Sequence, residues 1–214
     1  MIASADQVVI SNRIADLEAA SGVEVVTIVV AKSDVYPETV WKAFGLGASL
    51  SALVVVVHDL LRPTWASAGG ALWPVVGILG IGALWALSAV YVPAFTRLFL
   101  RKSRAETEVT QLAAVQFLQR ELFDTPPRTA VLVLVSMLEQ HVVIRADVGL
   151  QAQVTKSEWD AVIERMLPAL RRGTPAPAIQ DGIAAMGALF AAKGFAPSTR
   201  PNRFDNRAIE ASEP

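Results

Sequence analysis

From Pro63 to Thr96 the chain carries no charged residue. Crossing the roughly 30 Å of bilayer hydrocarbon takes roughly 20 apolar residues at about 1.5 Å each. The run is long enough for that and for a turn as well. Its best-filled part is Leu72 to Ala94, LWPVVGILGIGALWALSAVYVPA. Upstream, Ala43 to Val57 is also uncharged and closes in four valines, with His58 and Asp59 at its far end and Leu60 and Leu61 beyond. Two neighbouring spans joined by a short loop predict a membrane hairpin over residues 43–96, with spans at about 43–61 and 72–94. Lys32, Lys42, Arg97, Arg101, Lys102 and Arg104 flank the hairpin, and only Arg62 lies in its loop. The positive-inside rule then places both termini in the cytoplasm. The expected location is a membrane, multi-pass, with the lipid bilayer as the first partner.

Removing the hairpin leaves roughly 160 residues, enough for one soluble domain. The N-terminus, MIASADQVVISNRIADLEAA, is acidic and polar where a secretory signal would be basic and then apolar. It reads as an amphipathic helix, with Ser4 and Gln7 as a capping box and Gly22 as its left-handed end. Val23 to Ala31, VEVVTIVVA, suits a strand buried on both faces. Tyr36 to Trp41 reads as a short helix or turn starting at Pro37. After the hairpin, Ser103 to Phe123 has helical period, and Asp124, Thr125, Pro126 and Pro127 stop it. Thr129 to Met137 and His141 to Asp147 read as two strands joined by a tight turn at Leu138, Glu139 and Gln140. Ser157 is placed to cap a helix ending at Gly173, and a last helix runs from about Ala178 to Lys193. Residues 197–214 are polar and without period, which predicts a disordered tail. The first part of the domain is then residues 1–42 and the second 97–196. A helical crossover between the first two strands implies parallel pairing, and the tight turn implies antiparallel pairing of the next two. The expected fold is α/β, a small mixed sheet flanked by helices and interrupted by the hairpin.

Net charge is −1, and no basic patch is interleaved with aromatics. Nothing in that pattern supports nucleic acid as a partner. Cysteine is absent, which excludes disulfides, thiolate metal sites and a cysteine nucleophile. Phosphate-loop, nucleophile-elbow, zinc-protease and EF-hand patterns do not occur.

Asp147 precedes Gly149 at the end of a strand, where α/β sheets place ligands. Its carboxylate suits a hard cation, calcium or another divalent ion. The bland alternative is a hydrogen bond to the turn that follows. Arg128 and Thr129, at the start of the second strand, can hold an anion through a planar fork and a hydroxyl. An ion pair of Arg128 with Asp124 is the structural alternative. Glu139 and His141 flank Gln140 and read either as a metal or proton-exchange pair or as solvated turn residues. His58 and Asp59 mark an ion pathway or a span end. Gly77, Gly80, Gly82 and Ala83 give a small face on the second span. It fits packing within the hairpin or, alternatively, a homo-oligomer.

The segment RELFDTPPRTAVLVLVSMLEQHVVIRADVGL, Arg120 to Leu150, resembles a TPM domain. The signature is R-T-x-V-L-x-x-V-S followed by A-D-x-G at Ala146 to Gly149. The opening helix, the VEVVTIVVA strand and the closing helices fit the same family over about Ser4 to Phe195. The chain is most similar to the bacterial branch in which a transmembrane hairpin interrupts the domain. The resemblance implies a compact α/β domain anchored to a membrane. It also implies roles of the kind linked to the family: complex assembly or repair, calcium binding, phosphatase activity. Two classes of function follow. One is a non-enzymatic binding or assembly domain acting with other membrane proteins. The other is a metal-dependent, phosphatase-like hydrolase using Asp147 with Glu139 or Arg128.

Overall fold

The computed structural model describes residues 2–62, 68–125, 128–197 and 203–211. Two compact units emerge: Met1–Asp34 with Lys102–Pro214, and Val35–Arg101.

In the first unit, α1 (Ser4–Ser21) leads into β1 (Glu24–Val30), and Gly22 turns the chain in the left-handed region at φ 67°. After the inserted unit come α5 (Lys102–Gln119), β2 (Ala130–Ser136) and β3 (His141–Ala146). The short α6 (Val148–Gln151), α7 (Lys156–Arg171), α8 (Pro175–Lys193) and β4 (Ile209–Ala211) complete the unit. The sheet order is β3-β2-β1-β4. β1 runs parallel to β2, from Glu24 opposite Ala130 to Val30 opposite Ser136, and β2 is antiparallel to β3. The expected α/β fold with a small mixed sheet is therefore present.

The twofold period of the strands sorts their side chains into two cores. Val25, Val29, Val131, Val133 and Val135 face one way, against Ile10, Ile14, Met166, Ile183 and Phe190 of α1, α7 and α8. Val26, Ile28, Val30, Leu132 and Leu134 face the other way, against Val109, Ala113 and Phe117 of α5. Burial on both faces is why these strands read as largely apolar runs rather than alternating ones.

Three local expectations are corrected. The tail is not wholly without structure: Ile209–Ala211 pairs with Ile28–Val30 as a parallel edge strand. Only three residues pair, too few to leave a period, and Ile209 and Ala211 pack on the α5-side core. Residues 198–202 and 212–214 of that predicted tail lie outside the described residues, as do Pro126 and Pro127. Gln7 does not form a capping box with Ser4. Its side-chain amide donates to the Ala208 carbonyl (2.9 Å) and accepts from the Ala208 N–H (3.1 Å), holding β4's approach. The cap of α7 is Thr155, paired with Glu158 in a capping box, two residues before the expected Ser157.

The second unit is built on α2 (Pro37–Leu61) and α3 (Ala68–Tyr91), followed by α4 (Pro93–Phe99). The expected short element at Tyr36 to Trp41 is the first turn of α2, which runs on without a break. α2 and α3 are long and apolar enough to cross a membrane. They approach closely where side chains are missing. A Cβ on Gly47 would lie 2.7 Å from the Trp85 ring, and one on Gly82 would lie 2.9 Å from the Phe44 ring. Gly77 and Gly80 face open space, so only part of the predicted small face packs within the pair.

Two outcomes follow for stability. Met166 is fully buried between α7 and α8, so Met166→Ala should cost about 2–5 kcal/mol in urea unfolding. Glu18 sits partly buried at the end of α1, accepting the Val25 N–H at 2.8 Å. Burial pushes its carboxyl from an ordinary 4.5 up to about 7, and neighbouring Glu24 adds to the shift. A raised folded-state value means that the stabilising share is complete below 4.5 and is lost as pH rises through about 7. The melting temperature should therefore fall over that window, and Glu18→Gln should flatten the decline. An unchanged slope in the variant would assign the pH dependence to another group.

Candidate functional site

The β2–β3 hairpin carries most of the predicted site residues, and its register separates them. Val131 stands opposite Ala146, so Arg128, Thr129 and Asp147 gather where β2 begins and β3 ends. Ser136 stands opposite His141, so Glu139 and His141 lie at the other end. The two groups are roughly 15–20 Å apart along the strands at about 3.3 Å per residue. The expected pairing of Asp147 with Glu139 in one site does not form.

At the first end, Asp147 is buried and Arg128 is half exposed. The guanidinium grips the carboxylate with both arms: Nε donates to Oδ2 at 2.7 Å and Nη2 donates to Oδ1 at 3.0 Å. Oδ1 also accepts the Val148 N–H at 2.8 Å, so Asp147 caps α6. The hydrogen bonds it donates to Asp147 push the Arg128 guanidinium further above its usual range. Arg128 has φ 55°, a left-handed conformation unusual for a residue with a side chain. The backbone there is held on both sides: the Arg128 N–H donates to the Thr125 carbonyl, and its own carbonyl accepts the Gly149 N–H. The partner expected for Arg128, Asp124, is bound instead by Arg203. The Thr129 hydroxyl reaches the Gly22 carbonyl only at 3.5 Å. A cation at Asp147 would have to displace a bidentate arginine. The turn-holding alternative for Asp147 describes the geometry seen. The outer edge of the guanidinium remains open to an anion.

The second end is where β1 and β2, being parallel, both finish. The rule that ligands gather at carboxyl ends of strands points here rather than to Asp147, because β3 runs the opposite way. Ser33 and Ser136, both buried, lie side by side, with the Ser33 hydroxyl donating to Ser136 Oγ at 3.0 Å. The Ser136 hydroxyl in turn donates to Glu139, and the Ser33 N–H donates to Glu139 Oε1 at 2.8 Å. Next in the chain, Asp34 accepts from Arg104 at 3.0 Å, and Arg104 reaches Glu108 at 3.6 Å. Glu139 is thus a structural acceptor that ties the exit of β1 to the β2–β3 turn. Ser33 and Asp34 carried no sequence signal of their own, and Arg104 stood only among the cations flanking the hairpin. Ser136 stood in the V-S element without a role. Among the described residues no three histidine, aspartate or glutamate side chains gather as a cation-ligand set. His58 and Asp59, in the second unit, are exposed and 3.5 Å apart. A groove of about 440 Å³ between α1 and α8 is lined by Arg13, Asp16, Leu17 and Phe190 among others, and by none of the predicted site residues.

Removing one partner of the Arg128–Asp147 pair leaves a buried group unsatisfied. Arg128→Ala should therefore lower the melting temperature, because the buried Asp147 carboxylate loses its partner. In a double-mutant cycle with Asp147→Ala, the two losses should couple rather than add. Additive losses would show the pair to be energetically idle.

Residues 92–189 match the family model described as the TPM domain. The fold is similar to that of the BA42 protein from the psychrophilic bacterium Bizionia argentinensis, solved by NMR. The TM-score is 0.59 at 13% identity, over 99% of this chain and 96% of that one. At that identity the likeness speaks for the fold. No curated protein matches the sequence. The family match runs from α4 into α8 and takes in the β2–β3 hairpin with its Arg128–Asp147 clasp: over residues 92–189 the chain is similar to the TPM domain.

Proposed function

We propose that the chain is an integral membrane protein whose inserted unit anchors the TPM domain at the cytoplasmic face of a bacterial inner membrane. There the domain binds or assembles other membrane proteins. The observation that carries this reading is the surface of α2 and α3. Leu53, Val54, Leu60, Leu72, Trp73, Leu79 and Leu84 are all more than half exposed. A soluble protein does not leave so large an apolar surface in water, whereas lipid is its natural solvent. At about 1.5 Å per residue, the 25 residues of α2 span roughly 37 Å. The excess of Lys and Arg outside the short loop supports the cytoplasmic orientation.

The hydrolase alternative needs Asp147 and a second carboxylate around one cleft. The strand register holds Glu139 at the opposite end and Arg128 occupies Asp147, so the geometry favours binding over catalysis. Reporter fusions test the placement. A fusion at Ala68 should report the far side of the membrane and one at the C-terminus the cytoplasm. A cytoplasmic signal at Ala68 would refute the hairpin, and a translocated C-terminus would refute the orientation. Phosphoester hydrolysis lost in a folded Asp147→Asn variant would replace the binding reading with the enzymatic one.

A further inference from the structure

The corner at α4 belongs to the second unit and has a construction of its own. α3 ends at Tyr91, Val92 leaves the helix at φ −114° and ψ 100°, and Pro93 starts α4. Proline has no N–H, so the Ala89 carbonyl loses its helical donor. The Thr96 hydroxyl replaces it, donating to Ala89 O at 2.6 Å. Phe95 packs edge-on to Trp85 with ring centres 5.5 Å apart, and Phe99 packs on Phe95 at 5.4 Å. From α2, Lys42 Nζ donates to the Phe99 carbonyl at 3.3 Å and so caps the end of α4. The inner face of α4 is thereby fixed on the helix pair.

The outer face is left with exposed Ala94 and Leu98; Arg97 is partly exposed beside them, and Arg101 lies exposed just beyond the helix end. Leu98 is 75% exposed. Trp41, at the start of α2, and Tyr91, at the end of α3, are also widely exposed. Tryptophan and tyrosine mark the level of lipid headgroups. The same end of the helix pair carries Lys42, Arg97 and Arg101 against the single acid Glu38, a surplus of positive charge. The opposite end carries Asp59 and Arg62, which cancel, and His58. A short helix with an apolar outer face and cations beside it suits the boundary between acyl chains and headgroups.

We propose that the α4 corner is a binding surface for anionic phospholipid, with Leu98 in the acyl region and Lys42, Arg97 and Arg101 on headgroup phosphates. The inference rests on the membrane reading and adds the lipid class. Juxtamembrane cations are attracted to anionic leaflets individually, so a small cluster gives an enrichment on the order of tenfold.

The test uses the purified full chain in nanodiscs of phosphatidylcholine mixed with phosphatidylglycerol. Lipid retained on gentle detergent extraction is identified by mass spectrometry. The wild-type chain should retain phosphatidylglycerol over phosphatidylcholine by about tenfold relative to the bulk. A variant combining Lys42→Gln, Arg97→Gln and Arg101→Gln should lose that preference. Arg97→Lys with Arg101→Lys, and Arg62→Gln at the far end, should keep it. Should the triple variant aggregate, Arg101→Gln alone, an exposed change, should still lower the enrichment measurably. Equal retention of both lipids by the wild-type chain overturns the inference, as does an enrichment that none of the glutamine variants lowers. A chain that never enters the nanodisc overturns the membrane reading as well, whereas entry without lipid preference overturns this inference alone.

Discussion

The parallel ladder between Glu24–Val30 and Ala130–Ser136 is the interaction on which the first unit depends. It joins two stretches of chain separated by the whole of the inserted unit. Without it, α1 has no sheet to cover and β4 has no edge to pair with, since both use β1. The ladder also explains the composition of its strands. A strand with helices on both faces must be largely apolar, and β1 and β2 are, apart from Glu24, Thr27 and Ser136. Closure of a long loop costs little more than closure of a short one, because the entropy grows only with the logarithm of length. A large insertion is therefore tolerable at this point. The Asp34–Arg104 pair then holds the departing and returning ends of the first unit together.

Strand direction also decides which residues can cooperate. Asp147 and Glu139 both sit beside turns of the same hairpin and are only a few residues apart in sequence. Antiparallel pairing places them at opposite ends of it. Asp147 is taken by Arg128 and by the start of α6, and Glu139 is taken by the two serines. Each carboxylate therefore contributes to fixing a turn. Arg128 is half exposed and held in a strained backbone conformation, so the outer edge of its guanidinium is accessible to a partner.

Much of the fold was legible because its signals are local and strong. The uncharged run announced α3, the β-branched runs announced β1 and β2, and Gly22 and Gly173 marked helix ends by their left-handed conformation. The pairing of the strands followed from connection lengths. The site was less legible. Whether Arg128 takes Asp124 or Asp147 depends on a loop conformation, and both acids lie within reach in sequence. Ser33 and Ser136 meet only because β1 and β2 are in register, which no local pattern encodes. β4 escaped notice because three residues are held by a distant glutamine, Gln7, as much as by their own chain.

The separation of β1 from β2 has a consequence for the order of events on the ribosome. Strand β1 emerges early, yet its partner is made only after on the order of a hundred further residues, about 5–20 s at ordinary elongation rates. During that interval six consecutive residues of high β-propensity, Val25 to Val30, have no ladder and no cover. The two apolar helices are translated within the same window. A nascent chain of this design has to commit its hairpin while its first strand is still unpaired. Delay in synthesising β2 would thus expose an aggregation-prone segment that the finished molecule conceals completely.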